Sequence, residues 1–428
     1  MHSGLKCSSF FHYVVSVVGF YLLATNLLSE NDISIYRLNR QSDCTLLFLC
    51  FISRVVRFCF LGVISALYEE LAKTVVKDSL RIDPSDVVII TTWDHTIDVA
   101  NAMAVECFKQ GADAMICLWT DEYYYGFLKE LSAESLQIPS KICQAFTEAE
   151  TATINLFGPK NPEGLKKLSP SKLNAWGEGE RKAHYPRNIE RKIRNVSLPL
   201  ALLTAERAKV YGFNFGKWKK VVNNALTMDL KKIAKVGRGI AAILEKAHTV
   251  HLTAPNGTNL TFELAKRPVH VDDGIIDKKD IAKKSLDAQL PAGSVLTTIL
   301  ETSGNGKIIF DRPLQQMGLN VSGIKWMFKK GKLTSMTAKK NLEPISKQFE
   351  KASGDKDKIG YLQIGLNPKA EYGYLMDYIV EGAVQIGIGD NEYIGGKNSA
   401  SFGMAATLSK ATLKIGGKTI IKNGRISL

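Results

Sequence analysis

Residues 87–119 read VVIITTWDHTIDVANAMAVECFKQGADAMICLW and predict a parallel β-α-β unit. The apolar run Val87–Ile90 is typical of a short buried strand, and Ala114–Trp119 is typical of a second one. Between them, apolar residues recur at helical spacing from Asp94, the predicted cap, to Gly111, the predicted stop. Because a helix joins the two strands within one short segment, we expect the strands to run parallel.

The residues that follow extend the same pattern. A helix is predicted near residues 140–148 and a further strand near 153–157, which together complete a small doubly wound α/β domain. The turns of this domain contain neither GxGxxG nor GxxxxGK(S/T), so the sequence does not support a nucleotide site. Residues 159–194 are polar, basic and punctuated by proline, and we expect them to connect two domains.

Turn signals dominate the second half of the chain, which is expected to be β-rich and mainly antiparallel. After helices near residues 204–211 and 217–235, pairs of apolar strands flank turns rich in Gly and Asn. The expected hairpins join residues 250–253 to 260–264, 295–300 to 307–310, 324–328 to 333–336 and 412–415 to 419–422, and a helix is expected near 342–352. The predicted fold class is therefore α/β, with a small parallel-sheet N-terminal domain and a β-rich C-terminal domain.

The composition indicates a globular, reduced protein of the cytoplasm. Its 428 residues carry a formal net charge of +14 and seven cysteines, none of them after Cys143. The chain has no CxxC pair, so neither a disulfide framework nor a local zinc motif is indicated. Basic residues occur as scattered pairs without interleaved aromatic residues, which favours a solvated basic surface over nucleic-acid binding.

The first 62 residues differ in character from the rest. Residues 10–28 are mostly apolar and about long enough to span a bilayer, whereas the second apolar stretch contains Arg54 and Arg57. Three interpretations are considered: a membrane anchor through residues 10–28, a two-helix membrane hairpin, which the two arginines disfavour, or upstream sequence translated from a mis-assigned start, with Val63 as the true start. The expected domains are this leader, residues 63–200 with the basic linker, and residues 201–428.

Two short constellations are candidates for chemistry. His270 and Asp272 alternate along an extended segment and would share a face, which suits a metal ligand set or an acid/base pair. The simpler interpretation is a solvated loop. Asp94 and His95 open a helix after a parallel strand, where α/β sheets commonly bind ligands, although a helix cap alone explains Asp94.

Several motifs resemble those of one known family. The motifs are, in this order, Gly257-Thr-Asn-Leu-Thr-Phe, Leu290-Pro-Ala-Gly-Ser-Val, Ser303-Gly-Asn-Gly-Lys-Ile-Ile-Phe-Asp, Ile359-Gly-Tyr-Leu-Gln-Ile-Gly-Leu-Asn-Pro and Glu381-Gly-Ala-Val-Gln-Ile-Gly-Ile-Gly. Over roughly Val63 to Leu428, the chain resembles the thermophilic aminopeptidase T (aminopeptidase S) family of metallopeptidases, which shares these five motifs. The resemblance implies a homodimer whose two-metal centre, of zinc or cobalt, removes N-terminal amino acids from peptides. Ring-cleaving dihydroxypyridine dioxygenases, which use one iron, look like distant members of this fold.

The metal-ligand positions that the resemblance implies are substituted in this chain. Ser294 and Tyr361 stand where the family has glutamates, and Gln385 stands where it has a histidine. Phe402–Ala405 stand where the terminal His-x-Asp would be, so no alignment of this segment recovers a ligand. Hydroxyl, phenol and amide groups are poor substitutes for carboxylate and imidazole around a divalent pair.

These substitutions leave hypotheses of two classes. As an enzyme, the chain would be an aminopeptidase-like hydrolase with a rebuilt site using His270, Asp272, Asp94 or His95, or a dioxygenase-like enzyme with a rebuilt iron site. As a binding or structural protein, it would be a catalytically silent homodimer that retains the cleft for a peptide or small molecule. Loss of all the ligands favours the second class. No partnership with nucleic acid is expected, and none with a membrane unless the leader is native.

Overall fold

The computed structural model of this protein describes residues 67–316 and 319–428. The predictions about the leader, including the anchor at 10–28 and the start at Val63, lie outside these residues. The helices are α1 (Ile97–Lys109), α2 (Asp121–Glu130), α3 (Ala133–Leu136), α4 (Lys141–Ala149), α5 (Pro170–Arg191), α6 (Ala205–Tyr211), α7 (Phe215–Leu226), α8 (Leu230–Lys246), α9 (Lys278–Lys283) and α10 (Glu343–Lys351). In the part of the chain described, no helix combines the length and apolar character needed to cross a membrane.

The strands account for most of the second half of the structure. In chain order they are β1 (Val87–Trp93), β2 (Asp113–Trp119), β3 (Ala152–Asn155), β4 (Arg194–Ser197), β5 (Thr249–Thr253), β6 (Asn259–Glu263), β7 (His270–Asp272), β8 (Asp287–Gln289), β9 (Ser294–Thr298), β10 (Asn305–Ile309), β11 (Leu314–Gln316), β12 (Leu319–Val321), β13 (Lys325–Lys329), β14 (Lys332–Thr337), β15 (Ile359–Gly365), β16 (Val384–Gly389), β17 (Gly403–Leu408), β18 (Thr412–Ile415), β19 (Lys418–Lys422) and β20 (Arg425–Ile426).

The predicted parallel β-α-β unit is confirmed. Strand β1 pairs in parallel with β2, in a register that sets Val87 opposite Asp113 and Trp93 opposite Trp119. The full sheet has the order β2-β1-β3-β4-β8, and every pairing in it is parallel. Asp94, however, does not cap α1: it opens a short 3-10 turn, and Thr96 is the residue that precedes the helix.

The basic stretch 159–194 is part of the α/β fold, which differs from the prediction of an interdomain connection. It contains the 22-residue helix α5, capped by Ser169, with Pro186 inside the helix. A narrow stripe of small residues, Ala175, Gly179 and Ala183, is buried at a spacing of four. The backbones approach closely there, because a Cβ added to Gly179 would lie 2.2 Å from the carbonyl oxygen of Leu136.

The domain boundary at residue 200 stays a prediction, and the pairing of β8 crosses that boundary. This strand comes from the second half of the chain, yet it pairs in parallel with β4 at the edge of the first sheet. The helix predicted over 217–235 is also two helices, since Asp229 accepts hydrogen bonds from the backbone of Lys231 and Lys232 and so starts α8.

The β-rich, antiparallel second half is confirmed, and one of its predicted hairpins is wrong. The pairs β5–β6, β13–β14 and β18–β19 form as expected within an eight-stranded sheet of order β14-β13-β10-β6-β5-β18-β19-β20. Strand β9 does not pair with β10. It lies instead between β15 and β7 in a separate five-stranded sheet of order β17-β16-β15-β9-β7.

One face of the five-stranded sheet is covered by α8, which buries a stripe that includes Ile233, Gly237 and Ile240. Gly237 admits close contact there, because a Cβ at this position would lie 2.6 Å from the Val271 side chain. Val271 alternates with His270 and Asp272 along β7, so these two side chains project from the opposite face. We call that opposite face the polar face of the sheet.

Candidate functional site

The polar face brings together, from separate strands, the positions that the family resemblance implies for metal ligands. Ser294 begins β9, Tyr361 lies on β15 and Gln385 lies on β16, while β17 begins at Gly403, within the segment Phe402–Ala405. The strand register brings them together, since Tyr361 is opposite Gly387, two residues from Gln385, and Gly387 is opposite Ala405. These positions therefore occupy neighbouring places on one sheet.

Ser294 is part of a hydrogen-bonded pair with Gln363. The Gln363 side-chain amide donates to the Ser294 hydroxyl at 3.0 Å, and Gln363 lies directly opposite Gln385 in the β15–β16 pairing. The Gln385 amide in turn donates to the Thr407 hydroxyl at 3.2 Å. Neutral hydroxyl and amide groups thus form two hydrogen-bonded pairs, Gln363–Ser294 and Gln385–Thr407, across the middle of the polar face.

Tyr361 lies against a glycine and lines the larger cavity of the site. A Cβ added to Gly387 would lie 2.2 Å from the Tyr361 ring, so only glycine leaves room for the phenol there. A cavity of about 480 Å³ opens beside it and is lined by Tyr361, Asp390, Tyr393 and residues 400–405. Burial, together with a hydrogen bond to Tyr393, raises the pKa of Tyr361 and keeps its phenol neutral.

Gln385 lies at a second, smaller cavity that adjoins the first. This cavity has a volume of about 80 Å³, and its lining includes Gln385, Thr407, Asp377 and Tyr378. Ala405 contributes to both cavities. Of the segment Phe402–Ala405, Ala405 is therefore the residue that lies between the two cavities, and its side chain is only a methyl group.

Asp272 is the predicted candidate that the structure places nearest to these positions. It lies on β7 directly opposite Ser294. Burial raises the pKa of Asp272 to about 7, although backbone N–H groups of Gln289 and Gly274 hydrogen-bond to the carboxylate. The neighbouring Asp273 carboxyl is also affected by burial, which raises its pKa to about 6.

The other candidates are not brought into this arrangement by any contact among the described residues. His270 is opposite Leu296 on β9, and its Nε2 lies 3.3 Å from the carbonyl oxygen of Ile394. Asp94 and His95 belong to the parallel-sheet half, where His95 Nε2 lies 2.8 Å from the carbonyl oxygen of Ala201 and Asp94 is largely exposed. Both histidines thus contact main-chain oxygen, as structural histidines commonly do.

The side chains at Ser294, Tyr361 and Gln385 do not fit a pair of divalent metal ions. Zinc sites use thiolate, imidazole or carboxylate donors, whereas these positions offer amides, a hydroxyl and a neutral phenol. Within residues 67–316 and 319–428, the group of His, Cys, Asp and Glu side chains close enough to share an ion lies elsewhere, at Cys143, Glu180 and His184.

Sequence reasoning missed Gln363, Thr407, Asp390 and Tyr393, which complete the polar face and its cavity. No local pattern points to them, because each is defined by its partner on another strand. One signal was present: Gln363 lies two residues after Tyr361 on the same strand, so alternation places both on one face.

Comparison with known proteins agrees with this architecture. Residues 65–357 match the model of a family described as thermophilic metalloprotease (M29). Aminopeptidase PepS of Streptococcus thermophilus is 24% identical over 294 residues, which are 63% of this chain and 70% of that protein.

Two solved structures share the fold. The structure of AmpT from Thermus thermophilus aligns with a TM-score of 0.64 at 17% identity and covers 85% of this chain and 99% of that one. A 2,5-dihydroxypyridine dioxygenase from Pseudomonas putida aligns with a TM-score of 0.56 at 14% identity and covers 85% and 96%, respectively. From the family match and this shared architecture, we conclude that the chain belongs to the M29 family of thermophilic metalloproteases.

Proposed function

We propose that this member of the M29 family binds a peptide or small molecule at the polar face and does not carry out metal-dependent hydrolysis. The observation that carries the proposal is that Ser294, Tyr361 and Gln385 lie together on one sheet as neutral side chains. Ser294 and Gln385 are moreover engaged in hydrogen bonds with Gln363 and Thr407. The family resemblance implies that these are metal-ligand positions, and in this chain they carry no charged side chain.

The larger cavity suits a ligand that presents both apolar and hydrogen-bonding groups. Its volume of about 480 Å³ falls within the range of small-molecule sites. Tyr393 and Asp390 offer polar groups at its wall, and the Tyr361 ring and Ala405 offer apolar surface. A short peptide has this combination of groups, and the aminopeptidase name of the relative PepS supports a peptide as the ligand.

Loss of metal-dependent hydrolysis follows from the chemistry of the donors. A metal-bound water needs a Lewis acid held by anionic or imidazole ligands, and neutral amides bind zinc or cobalt weakly. Asp272 is the carboxyl group closest in register to Ser294, and burial raises its pKa to about 7. One such carboxyl does not replace the several charged ligands that the family resemblance implies.

The first test is hydrolysis. We expect the purified full-length protein to release no N-terminal amino acid from leucine- or alanine-terminated peptides with zinc, cobalt or ferrous iron present. Amino-acid release is followed by mass spectrometry, with and without a chelator. Chelator-sensitive release that is restored by added metal would contradict the proposal and favour a rebuilt metal site.

The second test is binding, measured by calorimetry with unlabelled di- and tripeptides. Tyr361→Phe removes the phenol hydroxyl from the cavity wall, and we expect it to weaken binding by about 2- to 10-fold, the effect of one lost hydrogen bond. Tyr185→Phe is the matched control, because Tyr185 is an exposed tyrosine on α5. If none of these peptides binds at millimolar concentration, the peptide part of the proposal fails.

We further propose that the protein is a homodimer in the cytoplasm, as the family resemblance and the cysteine distribution suggest. Sedimentation equilibrium of the full chain tests the first point. Fractionation of native cells, with detection of residues beyond 63, tests the second. Recovery of the protein with the membrane fraction would favour the anchor interpretation of residues 10–28.

A further inference from the structure

Three side chains with metal-binding atoms converge between α4 and α5, away from the polar face. Cys143, Glu180 and His184 each offer one such atom, and these atoms all lie within 4.8 Å of one another. His184 Nε2 is 3.4 Å from Glu180 Oε2. The proposed binding function does not use these three residues, and no local sequence motif predicts that they converge.

The fold positions each of the three side chains firmly. Glu180 and His184 are four residues apart on α5, so they lie on the same side of the helix. They flank the buried small-residue stripe of α5, which holds the helix close to its neighbours. Cys143 lies in the first turn of α4, where its backbone N–H donates to the capping hydroxyl of Ser140 at 3.3 Å.

The observed spacing matches the edge of a zinc coordination tetrahedron. With zinc bonds of about 2.0 Å to nitrogen and oxygen, tetrahedral geometry sets these two ligand atoms about 3.3 Å apart. The observed nitrogen–oxygen distance of 3.4 Å is nearly this value. The third atom, a cysteine sulfur, is within 4.8 Å of both, so a small rotamer adjustment closes the set.

A buried carboxyl group beside the cluster interacts with the charge of His184. Glu150 is 3% exposed, and its pKa is raised by burial, an effect that the nearby His184 opposes. The charge of a cation held by the three side chains would act on Glu150 in the same direction as the charge of His184 does.

We propose that Cys143, Glu180 and His184 form a zinc site that joins α4 to α5. One sulfur, one nitrogen and one oxygen donor suit Zn²⁺, whose fourth position is then taken by water. Access from solvent is available, since the side chains of Glu180 and His184 are 31% and 35% exposed. On binding, the metal displaces the protons of the thiol and the imidazolium, which pass to solvent.

Cobalt is the probe for the first experiment, because a cysteine thiolate bound to Co²⁺ gives a charge-transfer absorption in the near ultraviolet. The full-length protein is titrated with Co²⁺ in a reducing, metal-free buffer. We expect Cys143→Ser to lose one equivalent of this absorption relative to the wild type. His184→Gln should lower the cobalt affinity by at least about 10- to 100-fold. Circular dichroism confirms that each variant is folded.

His248→Gln provides the matched control. His248 also pairs with a glutamate, with Nε2 3.3 Å from Glu263 Oε2, but lies on β-rich structure with no cysteine in the pair. We expect this variant to bind cobalt as the wild type does. The proposal is overturned if Cys143→Ser and the wild type give the same cobalt absorption.

A second readout works residue by residue in the same full-length protein. Zn²⁺ should protect Cys143 from alkylation by iodoacetamide, with protection mapped by peptide mass spectrometry, and His184→Gln should abolish the protection. Equal alkylation of Cys143 with and without zinc would refute the site. Neither experiment measures peptide hydrolysis or peptide binding, so its outcome is separate from that of the proposed function.

Discussion

Replacing Arg267 with methionine should lower the free energy of unfolding by about 3–5 kcal/mol, the usual effect of removing one partner from a buried ion pair. Arg267 and Glu301 form a two-pronged pair, with N–O distances of 2.5 and 3.0 Å. Their side chains are 14% and 10% exposed. The backbone N–H of Lys397 also donates to Glu301 at 3.1 Å, so the carboxylate fixes a loop of the second half.

The effect should depend on pH in a defined direction. Burial alone would raise the pKa of Glu301, but hydrogen bonds from Arg267 and the backbone lower it on balance from 4.5. The wild-type pair therefore stabilises the fold above about pH 4.5, and this stabilisation is lost as the pH falls through the folded-state pKa. We expect the destabilisation by Arg267→Met, measured by urea unfolding, to shrink at acid pH.

Arg181→Met is the matched control for this prediction. Arg181 forms an ion pair with Glu178 in which both side chains are half exposed, 58% and 48%. Such surface pairs contribute little, so we expect urea unfolding of this variant to be indistinguishable from the wild type. Equal destabilisation by the two substitutions would show that burial of the Arg267–Glu301 pair has no special role.

The second large effect is expected from Asp272→Asn on the polar face. Burial raises the pKa of Asp272 from 3.8 to about 7, so between these values the folded protein holds a proton that the unfolded chain has released. The wild type should therefore lose stability as the pH rises from 4 to 7. At 1.36 kcal/mol per pKa unit, the contribution of this one group is at most about 4 kcal/mol.

Asparagine cannot ionise, so the variant should lack this part of the pH dependence. We expect its stability relative to the wild type, measured by thermal unfolding, to increase between pH 4 and about pH 7 and then to level off. Asp273→Asn is a comparison variant with a smaller expected effect, because burial raises the pKa of Asp273 only to about 6. The increase in stability caused by Asp273→Asn should be smaller than that caused by Asp272→Asn and should be complete at a lower pH. A pH-independent difference for Asp272→Asn would contradict the assignment of a desolvated carboxyl.

The comparison of sequence and structure shows which features local chemistry determines. The β5–β6 and β13–β14 hairpins were predictable because each turn and its two strands are contiguous. The partner of β9 was not predictable in this way. Its residues are buried on both sides, and β15, which pairs with it, begins some 60 residues later in the chain.

Helix α5 was missed for a different physical reason. Its fully buried residues are alanine and glycine, and its large apolar core residues, Leu173 and Trp176, lie only near its start. A continuous stripe of large apolar residues is therefore absent, and the sequence of the segment is typical of a solvated linker. The consequence for the site was direct. A spacing of four residues places Glu180 and His184 on the same side only in a helix. The proposed zinc ligands therefore could not be predicted without predicting α5.

The polar face could be predicted in part. The family motifs identified Ser294, Tyr361 and Gln385 as corresponding positions, and these positions do lie together in the structure. Their hydrogen-bond partners were not predictable, because Gln363 and Thr407 acquire their roles only through strand register. The grouping of these neutral side chains on one face is therefore recognised only when the motifs and the strand pairing are considered together.

The position of β8 has a consequence for dividing this protein into fragments. A fragment ending at residue 200 would lack β8, and β4 would then present unpaired N–H and C=O groups along Asn195–Ser197. An uncovered edge of this kind invites pairing between molecules, so such a fragment is expected to aggregate rather than to behave as an independent domain. The solubility of the first half thus depends on the second half, which supplies the strand that covers the edge of the first sheet.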